Sequence, residues 1–257
     1  MNAQEMWVSF YTILRKDIVR LFRIWTQTLL PPAITTGLYF LIFGKFIGSQ
    51  IQPIHGYTYI QFIVPGLVMM SIITNAFMNT AFNFFQAKFM KHLEEILVSP
   101  TPYLVLILGI ISGGIVRAFI TGAIIIGLAM FFTHIPIFSL PIILVFFFLT
   151  STLFSLAGLI NGVFGTSFDS VSIFPTFVLT PLTYLGGVFY SVAALPHFWQ
   201  VVTRFNPILY MINGFRYGFL GISDTSVLLS FAILLGLNIV LMVTTWWLFK
   251  TGRGLRP

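Results

Sequence analysis

The sequence contains no cysteine, and only 7% of its 257 residues are charged. Without thiols there are no disulfides and no Cys-based metal sites, and the chain gives no redox clue to its compartment. A soluble domain carries about 25% charged residues. The shortage of charge, beside 58% hydrophobic residues and 30 Phe, therefore excludes an ordinary soluble fold. No GxxxxGK[ST] phosphate loop occurs, so ATP is not bound in that way. His92, Glu94 and Glu95 do not complete HExxH, because position 96 is Ile96. With His55, His92, His134 and His197 in loops or at the ends of apolar runs, no metal site is expected. No GxSxG-like elbow is present, and no apolar run pairs a Ser with a His at depth. No Asp or Glu lies deep in an apolar run, which leaves proton or sodium coupling without a residue.

What is present is long apolar runs. A hydrocarbon core about 30 Å thick is crossed by about 20 helical residues, and six runs of that order lie near 29–47, 59–82, 104–131, 138–160, 171–190 and 226–249. They lack the alternation of barrel strands, and helices satisfy their own backbone in lipid. The expected fold class is all-α: a polytopic membrane protein with six transmembrane helices, one domain over 1–257. The apolar stretch after the first charges is too long for a cleavable signal peptide.

Charge placement then sets orientation. With a cytoplasmic amino terminus, Arg15, Lys16, Arg20, Arg23, Lys88, Lys91, Lys250, Arg253 and Arg256 lie inside, and Lys45, Arg204 and Arg216 lie outside. Nine against three is a positive-inside bias, and an even number of spans returns the carboxyl terminus to the cytoplasm. The net charge of +7 thus reads as topology and requires no nucleic acid.

Over 1–28, Trp7, Tyr11, Leu14, Ile18, Leu21 and Trp25 recur every three or four residues between the basic positions. That predicts an amphipathic helix lying in the headgroup plane. Pro31 and Pro32 then suit the first turn of a new helix. In the second span Ser71, Asn75, Asn79 and Asn83 are four apart and form one polar ladder, open to two readings: hydrogen bonding between helices, or the lining of a substrate path. Arg117 lies about 20 Å along the third span at 1.5 Å per residue. It is either an interface clamp helped by Gly109, Gly113, Gly114 and Gly122 or a group that holds an anionic substrate. The fifth span contains Pro175, Pro181, Gly186 and Gly187, which predict a kinked or interrupted helix, with Thr176, Thr180 and Thr183 on one face. The stretch 191–221 is too polar for a span and too apolar for a loop, and reads as a re-entrant outer-leaflet element between the fifth and sixth helices.

One charged segment interrupts this pattern: KFMKHLEEILVSPTP at 88–102. Phe89, Leu93, Ile96, Leu97 and Pro100 form an apolar stripe, with Lys88, Lys91, His92, Glu94 and Glu95 on other faces. A helix resting on anionic headgroups gains nothing from Glu94 and Glu95, whereas an apolar ridge flanked by mixed charge suits docking into a partner's groove. The loop 86–102 therefore reads as a coupling element.

EEILVSPTP at 94–102, TPLTYLGGVFYS at 180–191 and NPILYMINGFRYG at 206–218 resemble the ABC-2 family of bacterial permeases, and with the amphipathic start and six spans the resemblance covers nearly the whole chain. It implies a homodimeric permease in the bacterial inner membrane, with no enzymatic site and no cofactor of its own. Export would be driven by ATP and Mg on two copies of a separate ATPase that push on Lys88, Phe89, Lys91, Leu93, Glu94, Glu95 and Leu97. The resemblance also implies a substrate path between the second and fifth spans, lined by Asn75, Asn79, Asn83, Thr176, Thr180 and Thr183, and an exit element with Asn206, Pro207 and Arg216. An uncoupled channel or scaffold and a lipid-modifying enzyme are the alternatives.

Overall fold

The structure is a computed structural model that describes residues 2–255, without the side chains of residues 95–97. Among the described residues the only regular structure besides helix is one isolated bridge between Ile54 and Tyr57. Helix α1, Ala3–Arg23, starts where the Asn2 backbone N–H donates to Glu5 Oε2 at 2.9 Å, a capping arrangement that satisfies an otherwise orphan donor. It ends five residues short of the predicted 28. A single turn, α2 (Trp25–Thr28), leads to α3 (Leu30–Tyr39), which has proline in its first turn and continues as a π-helix over Phe40–Ile47.

Among the described residues, five stretches are long and apolar enough to cross a membrane: Trp25–Gln50, α4 (Tyr59–Phe89), α6 (Tyr103–Met130), α7 (Leu140–Phe164) and α12 (Val227–Thr251). A seven-residue helix, α5 (His92–Val98), separates α4 from α6. The fifth run is interrupted, as its prolines and glycines predict: α8 (Phe168–Phe174), a π-turn at Pro175–Leu179, and α9 (Thr180–Tyr184). Pro175 and Pro181 each remove a ladder donor, and Gly187 at φ +81° turns the chain away. Two short helices come next, α10 (His197–Arg204) and α11 (Pro207–Leu220).

The core is built around α4. Its crossing window is 72% buried, against 61% for α7, 44% for α6, 17% for α12 and 11% for the first stretch. Apart from its asparagine ladder α4 is apolar on its faces, which suits a central helix, and Phe62, Ile63, Met69, Ile73 and Phe77 are fully covered. Small residues allow the close approach that membrane helices use in place of a hydrophobic drive. A Cβ at Gly158 of α7 would sit 2.4 Å from the Phe77 carbonyl oxygen on α4. Gly113 of α6 likewise leaves room for the side chain of Asp17 on α1. α11 fills the opposite end of the core, with Leu209, Met211, Ile212 and Phe215 buried and its last carbonyls accepting from Phe138 and Ser139 N–H.

Candidate functional site

The two polar features of the second and third spans meet. Arg117 donates through Nε to Asn75 Oδ1 at 3.2 Å, through Nη1 to Asn79 Oδ1 at 3.3 Å, and through Nη2 to the Thr28 carbonyl at 3.4 Å. Asn83 Nδ2 donates to Asn79 Oδ1 at 3.2 Å, and Asn75 Nδ2 returns to the Ser71 carbonyl at 3.0 Å. Three elements, α2, α4 and α6, are thereby joined at one guanidinium. Asn75 and Asn79 are buried and Asn83 is half-buried, so the ladder faces α6. A cavity of about 230 Å³ reaches this cluster and is lined by Asp17, Arg20, Thr28, Asn79, Asn83 and Arg117.

The threonine stripe is not one face. The π-turn at Pro175–Leu179 adds a residue to the turn and rotates α9 relative to α8, so the spacing of four no longer repeats. Thr176 and Thr180 are exposed, whereas Thr183 is buried. Thr180 Oγ1 donates five residues back to the Pro175 carbonyl at 2.9 Å, and Thr183 Oγ1 donates to the Leu179 carbonyl at 2.7 Å. Within one chain, the Asn ladder and the exposed threonines do not share a lining.

Asn206, Pro207 and Arg216 belong to one construction. Pro207 occupies the first turn of α11, and Asn206 caps it, accepting from the Ile208 N–H at 3.0 Å while donating to the Leu182 carbonyl at 2.6 Å. Arg216 is fully buried: it donates through Nη2 to the Gly187 carbonyl at 2.7 Å, and its guanidinium carbon stands 3.9 Å from the Phe62 ring centroid. Asp224, which sequence reasoning did not single out, receives Ser191 Oγ at 2.7 Å and the Val192 N–H at 2.9 Å. Its own N–H donates to Asn213 Oδ1 at 3.0 Å. The signal available was its place just after Gly221, a left-handed glycine that ends α11.

The segment 88–100 is not one helix. α4 runs to Phe89, and Lys91 adopts φ +60° before α5 begins at His92. The expected stripe is therefore split. Leu93 is 2% exposed, packed with Phe84, Ile107, Leu159 and Phe249, and is thus not an outward-facing anchor. Phe89 and Val98 are exposed, as are Lys91 and Glu94; the side chains of Glu95 and Leu97 lie outside the described residues. Lys88 donates through Nζ to the Val163 carbonyl at 2.8 Å, placing a cation on the last carbonyls of α7. Phe168 packs edge-on against both Phe85 and Phe89, at 5.0 and 5.6 Å between centroids. A groove of about 460 Å³ joins Phe89 and Lys91 to Phe164, Thr166 and Gly254.

Sequence reasoning also passed over Asp17. It is largely buried in the seam between α1 and α6, and that burial raises its carboxyl to about 6 against the opposing pull of Lys16 and Arg20. The signal was the spacing of Ile13, Asp17 and Leu21, four apart on the face that packs on α6.

Residues 8–220 match the ABC-2 type transporter family. The chain belongs to the ABC-2 type transporter family. This ABC-2 protein is 52% identical over 250 residues to the inner membrane transport permease YadH of Escherichia coli (strain K12), covering 97% of this chain and 98% of that one. It has the same identity to the YadH of Shigella flexneri. Nodulation protein J of Rhizobium leguminosarum bv. viciae is 24% identical over 202 residues, 77% of this chain and 76% of that one. An ABC-2 membership and apolar helices of this length make the chain a multi-pass membrane transport permease.

Proposed function

We propose that this chain is the membrane half of an ATP-driven exporter in the bacterial inner membrane, working as a homodimer with two copies of a separate ATPase that carries ATP and Mg. The observation that carries the reading is one face of the molecule. α1, the end of α4, His92, the 164–166 turn and Gly254 line neighbouring clefts there. That face holds Arg15, Lys16, Arg20, Arg23, Lys88 and Lys91, and the positive-inside rule makes it cytoplasmic. α1 and Gly254 lie on it, and α8 to α9 serves as a sixth, broken crossing. α10 and α11 form the re-entrant outer element: the 14 residues of α11 span about 21 Å, too short to cross.

Helix α5 and the corner before it lie on this cytoplasmic face with Phe89, Lys91, Glu94 and Val98 exposed, and these form the surface that receives the ATPase stroke. Leu93 seats α5 in its own chain and so transmits the push to α6, α7 and α12 through Ile107, Leu159 and Phe249. The exposed apolar first span and α12 face lipid or the second copy.

The test is whether a candidate nucleotide-binding ATPase co-purifies with this chain, and whether the pair turns over ATP. Phe89→Ser with Val98→Ser is expected to weaken association at least tenfold while the permease remains folded, since buried anchors dominate such contacts. Association and coupling unchanged in that variant would overturn the assignment of the α5 surface. Absence of any copurifying ATPase would overturn the driven-exporter reading.

A further inference from the structure

Two cavities meet beneath α1. One, of about 760 Å³, lies between α1 and the end of α4, with Arg15, Lys16, Arg20 and Arg23 on its wall and no carboxylate. The deeper one, of about 230 Å³, ends at Asn79 and Arg117. Arg20, Ile24 and Asn83 line both and form the neck between them. A basic helix resting on bulk headgroups accounts for Arg15, Lys16 and Arg23, which are exposed. It does not account for Arg20, which is half-buried and reaches Gln86 across the cleft. Nor does it account for an open cleft whose volume, about 760 Å³, lies within the range of ligand pockets, about 300–1,000 Å³.

The chemistry of the cleft selects its occupant. Clustered cations over low-dielectric walls focus a positive potential, and guanidinium forks match phosphate oxygens bidentately. Val19, Ile24, Ala87 and Met90 add apolar wall, and Thr12, Asn83, Gln86 and His92 complete it with polar groups. Trp7, Tyr11 and Phe22, exposed elsewhere on α1, suit a helix at headgroup level. Asp17, the acid in the deeper cavity, is turned onto Gly113 of α6; Lys16 and Arg20 act on it, while Arg15 and Arg23 at the mouth have no carboxylate on the cleft wall.

We propose that this cleft binds the phosphate headgroup of a membrane amphiphile, with Arg20 as the inner anchor at the neck and Arg15, Lys16 and Arg23 at the mouth. A resident anionic phospholipid and a phosphate-headed lipidic cargo share this chemistry, and the cargo version rests on the proposed transport function. Neutralisation at the neck brings the bound head within one helix turn of Asn79 and Arg117, where the three-helix junction is made.

The absence of native cysteine permits a single Thr12→Cys on the cleft wall, labelled with an environment-sensitive dye, in the full chain in phosphatidylcholine nanodiscs. Dioleoyl phosphatidate is expected to saturate the signal at a mole fraction at least tenfold below that of oleate at matched surface charge. Asn83→Leu and Ala87→Phe obstruct the neck and wall while keeping every cation, and each is expected to abolish that preference, as is Arg20→Gln. Variants are read only when monodisperse with an unchanged melting temperature, and the three give independent chances of a folded reporter. A preference that survives in every folded variant overturns the proposal, because a helix lying on bulk lipid is indifferent to a filled cleft. With the ATPase and ATP added, transfer of labelled phosphatidate to the opposite leaflet supports the cargo version. Retention overturns that version and leaves a lipid site. Binding without transport is therefore distinguishable from failure of the exporter reading.

Discussion

Arg117 of α6 and Asn75 of α4 are joined by a 3.2 Å hydrogen bond from Nε to Oδ1, in the middle of two long apolar helices. A guanidinium there needs partners, and the Asn ladder supplies them. Asn75→Leu or Asn79→Leu leaves a charged donor short of an acceptor and is expected to cost about 1–3 kcal/mol. Thermal unfolding of the purified protein checks this. The triple change that also removes Arg117 is expected to cost less than the sum of its parts, because no orphan charge remains.

Lys88→Gln removes the cation that sits on the carbonyls of Val163 and Gly165. A charge at a helix C-terminus contributes about 0.3–1 kcal/mol, rising to about 2 where partly buried. The expected outcome is faster hydrogen exchange in the last turn of α7 and the 164–166 turn, with α12 unchanged; Lys88→Arg is expected to retain most of the protection.

Asp17 predicts a pH dependence. Its carboxyl is raised from 3.8 to about 6 by burial, so the folded state holds the proton more tightly than the unfolded one. Stability from this group is present below about pH 4 and falls as pH rises through 6, at no more than ~1.4 kcal/mol per pH unit. Amide protection of α1 is expected to weaken between pH 4.5 and 7, and Asp17→Asn is expected to flatten the curve. A slope of opposite sign would contradict a carboxyl buried in the α1–α6 seam.

Gly158 and Gly236 make a matched pair for helix packing. A Cβ at Gly158 meets the Phe77 carbonyl oxygen at 2.4 Å, whereas one at Gly236 of α12 meets nothing within 4 Å. Gly158→Ala is expected to destabilise by about 1–3 kcal/mol through overpacking. Gly236→Ala is expected to stabilise by up to about 1 kcal/mol, the helix propensity difference.

The long apolar stretches were legible because lipid demands about 20 residues of one chemistry, and α4, α6, α7 and α12 fall where the hydropathy places them. The ladder and Arg117 were each visible; that they are partners was not, because spacing fixes a face and leaves its neighbour open. The threonine stripe misled because a π-turn changes the period that the prediction assumed. Leu93 misled for a related reason: a left-handed Lys91 breaks the helix that would have aligned it with Phe89. Asp17 was hidden among basic residues, and only the packing of α1 on Gly113 shows it to be interior.

The break after α9 has a consequence for motion. Arg216 Nη2 donates to the carbonyl of Gly187, which is free to accept only because the chain turns there at φ +81°. A continuous helix through 187 would take that carbonyl for its own ladder and strand a guanidinium in the core. The corner and the arginine therefore lock one another, and Asn206 adds a second tie from α11 to the Leu182 carbonyl. α9, the corner and α11 must travel as one rigid piece, so any opening of the outer end pivots at the π-turn of Pro175–Leu179 instead of straightening the bend.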